Sequence, residues 1–600
     1  MTHPRARALR DVEVLAMDCQ ATSSRPESGL MLELGWLPTC AADLIPETQI
    51  EEEVQSSLFR APRKAILPPQ VLKITGIEPE ELRKAPTGRE IWERVDHCAQ
   101  ETAVRNGSRL CPTVIHFRRY EEPFLKKLHA EQSGEESFPL DIVCTHQIMQ
   151  HLFPGLPRKG LRAVAGYFGY SLPELRRSRH HVKATALIWR HLVRILEDEQ
   201  GLTGFPELKD WLTGPGAPPS IITGKRVYPM EKRLREGLPD RPGVYRMYRL
   251  NGDILYVGKA KSLKQRVNSY FQPQGRHAEH ILEMLSQAKD LTVTPTDTAL
   301  EAALLEADEI KRLAPPFNRA LQAHNRGISY ASTDLRSFRS SGPDLTHPVG
   351  PLAAPAQVAP LGPLADLLSQ QNPRIGVRMM ENILDIPRAY LPDRATFRRG
   401  MRAFRDQYKD QIPPDVDLPT LLALGARFWK EKLAEKAALI EAGGEKGSDT
   451  LAADPVEDQE EFESDPGVWT EERVVKVLRA IVRTGTYQIR RRRWLLRLCE
   501  SCLTWADRED PGQRHVVVLE GGRACFPGPI RVEAEAPVPI WHGRRLQDRR
   551  TDFDITTFDR LRILTTEIRR LCAEGRAPEL CFHPPTRLGQ PHLIKMLPWV

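Results

Sequence analysis

The sequence predicts a multidomain α/β protein. Its 600 residues exceed what one hydrophobic core usually serves, so three or four domains are expected. An apolar strand from Val12 to Met17 opens the chain, and strand and helix patterns alternate again between Pro242 and Asn318. Breaks in composition separate these segments from a helical pattern after residue 363 and from a mixed pattern near the end. We therefore expect two α/β domains, then a helical region and a C-terminal α+β region.

Polar or Pro/Gly-rich stretches set the expected domain boundaries. Residues 213–221 contain three prolines and two glycines, a composition typical of a linker. The acidic run from Glu457 to Glu463 indicates a disordered segment. The predicted divisions are an α/β domain at 1–212, a linker at 213–225, a small α/β domain at 226–325, a Pro/Ser/Gly-rich linker at 326–363, a helical region at 364–442, an acidic disordered linker at 443–466 and an α+β region at 467–600.

The charge balance allows nucleic-acid binding without requiring it. Lys and Arg number 86 against 79 Asp and Glu, which gives a net charge of +7. The ten cysteines are scattered, and neither a signal peptide nor a bilayer-spanning apolar run is recognised, so we expect a cytoplasmic protein with no membrane partner. Cys499 and Cys502 lack a second Cys or His pair nearby, so the sequence does not favour a zinc site there.

The segment from Pro242 to Asn318 is the most informative part of the chain. Gly243 to Tyr245 and Tyr256 to Gly258 flank an Asn-Gly turn, which predicts a two-stranded hairpin. Ser262 is placed to cap a following helix that carries Arg266. A second helix is predicted from a capping box at Thr298, and its period places Glu306 at the border of the apolar stripe, where a carboxylate can face a cleft.

This segment resembles the GIY-YIG nuclease module found at the N-terminus of UvrC and in its shorter relative Cho, which are excision-repair endonucleases. The resemblance assigns site positions to Tyr245, Tyr256, Lys259, Arg266, Tyr270, Glu306 and Asn318. It implies one divalent metal ion, Mg²⁺ or Mn²⁺, held by Glu306. It also implies that Tyr256 acts as general base toward a water, and that Arg266 holds phosphate oxygens. The alternative interpretation is that the tyrosines are strand core and the charged residues are ordinary surface groups.

A tyrosine acts as a general base in its phenolate form, which is scarce at neutral pH. A free phenol has a pKa of about 10, so few phenolates are present unless nearby positive charge stabilises them. Lys259, Arg266 and the implied metal ion would supply that charge.

A second resemblance covers about residues 8 to 200. The strand that ends in Asp18, the later Val114 to Leu125 segment and the His180-His181 pair occur in an order that resembles the DEDDh 3′–5′ exonuclease of the polymerase III proofreading subunit. The implied fold is an RNase H-like sheet, with four carboxylates around two metal ions and a histidine base. The corresponding positions here are Asp18, Gln20, Glu121, His180 and Thr185.

The chain departs from this pattern at positions that would hold the metal ions. Gln20 and Thr185 are neutral, so two of the four expected anionic ligands are missing. Two cations a few ångströms apart would then repel with too little compensating charge. We expect a retained fold with weakened or lost two-metal catalysis. Exonuclease activity of a one-metal or slow kind is the competing interpretation.

The C-terminal region offers one candidate for DNA contact. Arg490, Arg491, Arg492 and Arg493 are consecutive and could hold phosphates, although such a run is more often a solvated surface. UvrC itself carries a second RNase H-like nuclease and helix-hairpin-helix motifs at this end. Neither pattern is recognised here, so the chain resembles Cho more than UvrC.

Two functions remain in play. The first is a DNA endonuclease of the nucleotide excision repair type with a single GIY-YIG incision site, in which the exonuclease-like domain binds DNA or a partner. UvrA/UvrB-like damage-recognition proteins are the implied partners. The second is a 3′–5′ DNA exonuclease of the proofreading or DNA-processing type, assisted by the GIY-YIG domain.

Overall fold

A computed structural model gives the fold, and its chain divides into two compact units. One unit comprises residues 1–297 and 315–319, and the other comprises residues 298–314 and 320–600. The residues that the structure describes are 7–43, 46–62, 65, 67–133, 137–172, 175–214, 226–272, 277–318, 327–340, 342–370, 373–386, 388–413, 415–441, 468–534, 553–582 and 586–599. Of the predicted linkers, 213–225 therefore lies almost entirely outside the described residues, and 443–466 lies entirely outside them.

The first unit opens with a five-stranded mixed sheet in the order β3-β2-β1-β4-β5. Its strands are β1 (Val14–Ala21), β2 (Met31–Thr39), β3 (Gln55–Leu58), β4 (Cys111–Ile115) and β5 (Leu140–Cys144). The first three strands are antiparallel neighbours, and the pairs β1·β4 and β4·β5 are parallel. This mixed sheet confirms the predicted RNase H-like fold.

Helices cover both faces of this sheet. They are α1 (Glu47–Glu53), α2 (Pro69–Thr75), α3 (Pro79–Lys84), α4 (Gly88–Asn106), α5 (Arg118–Gln132), α6 (Thr145–Leu152), α7 (Leu161–Tyr167), α8 (Ser178–Asp198) and α9 (Phe205–Thr213). Alternation along β1 sends Val14 and Ala16 into one core and Leu15 and Met17 into another. Both faces of β1 are therefore buried from Val14 to Asp18, and the strand continues half-buried to Ala21.

A small three-stranded antiparallel sheet completes the first unit, in the order β7-β6-β8. Its elements are α10 (Arg233–Glu236), β6 (Gly243–Tyr248), β7 (Ile254–Ala260), α11 (Leu263–Ser269), α12 (Glu279–Gln287) and β8 (Asp290–Pro295). The predicted hairpin forms between β6 and β7, and the turn residue Gly252 has a positive φ of 86°. Ser262 caps α11 by accepting a hydrogen bond from the Gln265 amide at 3.2 Å, as predicted.

Helices α7 and α12 join the two parts of the first unit. Gly166 of α7 lies so close to Gln287 of α12 that a Cβ at this position would overlap the glutamine side chain. The same Gln287 accepts a hydrogen bond from the buried Arg249 at 3.0 Å, and Arg249 also donates to Ser171 at 3.1 Å. The two parts are thus joined by buried hydrogen bonds as well as by apolar contacts. Because a buried polar group is costly to leave without its partner, these bonds favour this one arrangement.

The second unit begins with α13 (Ala299–Leu313), whose N-cap Thr298 accepts from the Glu301 amide at 3.1 Å. The predicted apolar stripe of this helix is buried, and Leu300 and Leu304 pack in a core formed with the C-terminal region. The sequence places α13 in a domain at 226–325, whereas its packing assigns it to the second unit. The reason is that α13 packs Leu300 and Leu304 against apolar side chains of the C-terminal region, which local sequence patterns do not reveal.

The predicted linker at 326–363 is wrong as a description of this segment. It contains a three-stranded sheet in the order β10-β9-β11, with β9 (Ser329–Ala331), β10 (Phe338–Arg339) and β11 (Val349–Leu352), followed by α14 (Pro355–Val358) and the start of α15 (Leu361–Ser369). Tyr330, Leu335 and Leu352 are each at most 2% exposed. These widely spaced apolar residues bury enough surface to hold short strands despite the Pro and Ser content.

The helical region follows, with α16 (Val377–Leu384), α17 (Arg394–Gln407), α18 (Leu418–Glu441) and α19 (Glu471–Leu498). A core shared by α15 to α19 includes Phe397, Phe404, Phe428 and Val482. No described helix has the length and apolar character needed to cross a membrane.

The C-terminal region is an antiparallel sheet with helices, as predicted. Its elements are β12 (Ser501–Ala506), β13 (Gln513–Glu520), β14 (Arg523–Cys525), β15 (Ile530–Arg531), α20 (Ile555–Ala573), β16 (Glu579–Phe582), β17 (Thr586–Gly589) and α21 (Gln590–Met596). The Gly521-Gly522 pair forms the predicted hairpin turn with positive φ at both residues. The predicted fold class is thereby confirmed over the described residues.

Candidate nuclease sites

The hairpin of β6 and β7 positions the first candidate site. Tyr245 is paired directly with Gly258 across the two strands. A Cβ on Gly258 would lie only 2.4 Å from the Cζ and hydroxyl oxygen of Tyr245 and 2.7 Å from Cε1 of Tyr256. Only glycine therefore allows the two rings to lie together, with their centroids 6.0 Å apart. The motif spacing thus has a direct steric cause.

A hydrogen-bonded network links three of the predicted site residues. The Tyr245 and Tyr270 hydroxyl groups are 2.8 Å apart, and an Arg266 Nη2 donates to the Tyr270 hydroxyl at 3.3 Å. The Arg266 guanidinium also lies over the Tyr270 ring, 5.0 Å from its centroid. Arg266 itself is exposed on α11, so its remaining N–H groups are available to an oxyanion ligand.

The two motif tyrosines differ in their surroundings. Tyr245 is fully buried, and burial raises the pKa of its phenol well above the ordinary value. Tyr256 is only half-buried on β7. Tyr245 is therefore confined to the neutral phenol at physiological pH, whereas Tyr256 is the tyrosine of the pair with solvent access. Lys259 is exposed near the end of the same strand, and its role stays a prediction.

Asn318 has a positioning role in the structure. Its Oδ1 accepts from the Val257 amide at 2.9 Å, and its Nδ2 donates to the Val257 carbonyl at 2.8 Å. These bonds satisfy both backbone groups of the residue between Tyr256 and Gly258, at the open edge of β7. The buried Asn318 side chain thus holds the second tyrosine motif in place and is not directed at a ligand.

Glu306, the metal ligand implied by the resemblance, is half-buried on α13. Its position on the border of the buried stripe is the one that the helical period predicts. A single carboxylate suits Mg²⁺, which keeps several waters and takes one or two protein carboxylates. The donor chemistry therefore fits a hydrated divalent ion, and the assignment stays a prediction.

The second candidate site lies at the end of β1. Asp18 Oδ1 is 3.1 Å from His181 Nδ1, and His181 Nε2 is 3.2 Å from the Leu175 carbonyl oxygen. Both acceptors lack protons when Asp18 is ionised, so both ring nitrogens must donate and His181 is an imidazolium. Burial alone would lower the pKa of His181, but the charge and hydrogen bond of Asp18 raise it to about 9.

This contact corrects the predicted histidine. His180 faces elsewhere and lies 3.6 Å from Glu51. The helical period could have indicated the difference, because His181 and the buried Thr185 are four residues apart on α8 and share a face, whereas His180 and Thr185 do not. In this arrangement both His181 nitrogens face hydrogen-bond acceptors, the Asp18 carboxylate and the Leu175 carbonyl.

Glu121 is close to Asp18 but is held by the backbone. Its carboxylate oxygens accept from the Cys19 amide at 3.3 Å and the Phe117 amide at 3.2 Å. Burial and the neighbouring Asp18 charge raise the pKa of Glu121 well above its ordinary value. Glu has one more methylene than the Asp expected here, and this added length lets the Glu121 carboxyl group reach two main-chain N–H groups.

The other two departures remove further metal ligands. Gln20 Nε2 donates to the Arg176 carbonyl at 2.6 Å. Glu33, which the sequence did not single out, pairs with Gln20 across β1 and β2 but is bound by Arg177 at 3.0 Å and by the Ser178 amide at 2.8 Å. Arg177 and His181 thus bring positive charge to these carboxylates. Among the described residues no three or more His, Cys, Asp or Glu side chains form a metal-binding group, and the loss of two-metal catalysis stays a prediction.

A cavity of about 690 Å³ opens from this cluster. Its lining includes Asp18 and His181, the basic residues Arg158, Lys159 and Arg162, and the acidic residues Glu279 and Glu283. Asp18 Oδ2 is buried without a hydrogen-bond partner in the described part of the chain. The cavity therefore has room for a ligand, and Asp18 Oδ2 is available there as a hydrogen-bond acceptor.

The four consecutive arginines do not form one solvated surface, and their contact with DNA stays a prediction. They lie on α19, where the helical period spreads them around the axis. Arg490 and Arg493 are exposed, whereas Arg491 is 6% exposed and its guanidinium lies over the Tyr487 and Phe558 rings. Arg492 is half-buried and donates to the Gly350 carbonyl. Two of the four are thus exposed at the surface, where DNA could meet them.

Comparisons with known proteins match both candidate sites. A family model described as a UvrC-like GIY-YIG domain matches residues 241–319, and a model described as an exonuclease matches residues 15–181. The UvrABC system protein C of Rhizobium johnstonii is 44% identical over 114 residues, which are 19% of this chain and 16% of that protein. A protein of Mycobacterium tuberculosis provisionally named bifunctional exonuclease/endonuclease is 24% identical over 364 residues, 59% of this chain and 52% of that protein.

A solved structure is also similar in sequence. The N-terminal GIY-YIG endonuclease domain of UvrC from Thermotoga maritima, bound to magnesium, is 34% identical and covers 15% of this chain and 99% of its own, with a TM-score of 0.14. The chain spans about half the length of the Mycobacterium tuberculosis relative and less than a fifth of the Rhizobium johnstonii one. The chain thus carries a DEDDh-type exonuclease domain followed by a UvrC-like GIY-YIG domain.

Proposed function

We propose that the chain is a metal-dependent DNA endonuclease of the nucleotide excision repair type, with one incision site in the GIY-YIG domain. The observation that carries this proposal is the network of Tyr245, Tyr270 and Arg266 beside the half-buried Tyr256. A positioned guanidinium next to a tyrosine with solvent access supplies phosphate binding and a proton acceptor in one place. Phosphodiester hydrolysis uses both functions.

The residues act in distinct ways in the proposed mechanism. Arg266 binds phosphate oxygens through its solvent-facing N–H groups and stabilises the charge that develops there. Tyr256 accepts a proton from the attacking water, and Asn318 keeps the strand that carries Tyr256 in register. Tyr245 holds Tyr270, which in turn orients Arg266. Glu306 would hold one divalent ion, Mg²⁺ or Mn²⁺, which supplies Lewis acidity when bound.

The exonuclease domain is proposed to bind DNA or a partner protein and to contribute little hydrolysis. Its His181 is hydrogen-bonded to Asp18, and the uncharged residues Gln20 and Thr185 stand at two of the four positions where carboxylates are expected. The competing function is a 3′–5′ DNA exonuclease assisted by the GIY-YIG domain. The free Asp18 Oδ2 and the open cavity beside it favour that candidate.

The proposed setting is a reducing cytoplasm, because all ten cysteines are free thiols. UvrA/UvrB-like damage-recognition proteins are the proposed partners. Incision of a lesion-bearing duplex by the purified chain tests the endonuclease. We expect internal cuts that need Mg²⁺ or Mn²⁺ and stop with a chelator, measured with and without such a loader. Release of single nucleotides from the 3′ end as the main product would contradict the proposal.

Asp18→Ala separates the two candidate functions. We expect total nuclease activity to stay within about threefold of the parent, because a working two-metal site would lose several orders of magnitude with this carboxylate. The measurement is digestion of a 3′-labelled single strand alongside duplex incision. Loss of 3′ digestion in Asp18→Ala, with rapid digestion by the parent, would show that the exonuclease site works despite Gln20 and Thr185.

A further inference from the structure

A basic groove in the second unit has no role in the chemistry described above. It lies between the end of α15 and one face of α17, and we call it the arginine groove. Four arginines surround it: Arg374, Arg398, Arg402 and Arg405. Three of them lie on α17 at spacings of four and three residues, which places them on the same side of that helix.

The groove is a formed feature of the fold. Its floor is made by Leu367, Leu368, Ile375 and Met401, which are each at most 5% exposed. Arg405 Nη2 donates to the Gln370 carbonyl at the end of α15, 3.0 Å away, which fixes one wall. The other three arginines project into solvent around this floor.

The groove concentrates positive charge without neutralising it. No acidic residue lines it, and within the described ranges none of the four arginines forms an ion pair with a carboxylate. Residues 373–413 contain nine Lys or Arg against five Asp or Glu. A cluster of this kind lowers the free energy of a bound polyanion.

The size of the groove restricts the ligand. Its volume is about 260 Å³, below the roughly 300–1,000 Å³ of pockets that enclose a small-molecule ligand. It can take one or two phosphate groups while the rest of the ligand extends beyond it. Guanidinium groups match phosphate oxygens in bidentate geometry. A phosphodiester chain that passes over the four arginines fits both the small volume of the groove and its positive charge.

We propose that the arginine groove binds the phosphodiester backbone of DNA and so holds the substrate on the second unit. The proposal extends the proposed function, but it concerns binding alone. Since binding is measured in chelator without hydrolysis, failure of the groove and failure of the incision site give different results.

The test compares two double variants with the same change in charge. Arg398→Glu with Arg402→Glu removes the centre of the groove. Arg378→Glu with Arg399→Glu is the matched control, because both residues are exposed on α16 and α17 and neither lines the groove. Binding to fluorescein-labelled single-stranded and duplex DNA is measured by anisotropy over a range of salt concentrations, and circular dichroism checks folding.

We expect the groove variant to bind at least about tenfold more weakly than the parent, and the control to stay within about threefold. The slope of log affinity against log salt should fall by about two in the groove variant, because two arginines no longer neutralise a phosphate each. Equal affinities of the two variants would overturn the proposal, including the case in which the groove serves an acidic protein partner. If the Glu variant does not fold, Arg398→Gln with Arg402→Gln should show the same order with a smaller loss.

Discussion

Arg266→Ala is expected to slow endonucleolytic incision by about a hundredfold or more. The exposed guanidinium is anchored by the Tyr270 hydroxyl and ring, so it is already oriented before a phosphate arrives. Its removal takes away positive charge that stabilises the scissile phosphate in the transition state. Because Arg266 lies at the surface and does not belong to the hydrophobic core of its domain, the fold should remain intact. Single-turnover incision at saturating Mg²⁺ measures the loss.

Lys264→Ala supplies the matched control for this variant. Lys264 is exposed on the same helix two residues before Arg266 and also carries positive charge. Its variant should cut at near the parental rate, which separates a local role of Arg266 from general attraction of DNA. Glu306→Gln should lose incision to a similar extent as Arg266→Ala if it holds the divalent ion. Near-parental incision by either site variant, with folding unchanged, would remove the assignment of the site.

The GIY-YIG fold was predictable because its determinants are local. The Asn-Gly turn sets the register of β6 and β7, and that register brings Gly258 opposite Tyr245. The caps at Ser262 and Thr298 likewise act over three residues. Side chains that meet through such short-range structure can be placed from sequence alone, and Tyr245, Tyr256, Arg266 and Tyr270 are in this class.

The features that sequence reasoning missed depend on packing between distant segments. The helical period places His181 on the same face of α8 as Thr185, but the contact of His181 with Asp18 depends on packing between α8 and β1, and these two residues are 163 positions apart in the chain. Arg491 is buried because Phe558 packs on it from another helix. The strands at 329–352 are held by a few buried residues in a Pro- and Ser-rich segment. Composition and motif order do not encode such long-range packing.

Tyr256→Phe and Tyr245→Phe should differ in their effects, because the structure gives the two hydroxyl groups different surroundings. The Tyr245 hydroxyl is buried and bonded to the Tyr270 hydroxyl at 2.8 Å. Its loss should cost about 1 kcal/mol of stability and only part of the activity, because Tyr270 keeps its bond to Arg266. Loss of the Tyr256 hydroxyl removes the proposed general base, so incision should fall by about a hundredfold or more with little change in stability.

The pH dependence of incision distinguishes these roles most directly. Between pH 6 and 9 the parent rate should rise as the Tyr256 phenolate becomes more populated. Tyr245 cannot produce this rise, since burial raises the pKa of its phenol and keeps it neutral over the same range. Tyr245→Phe should therefore keep the rising profile at a lower level, whereas Tyr256→Phe should be flat. The measurement is the single-turnover rate of all three proteins at constant ionic strength and saturating Mg²⁺. Parallel profiles in the two variants would take the general-base role away from Tyr256, while the loss in Arg266→Ala would still identify the incision site.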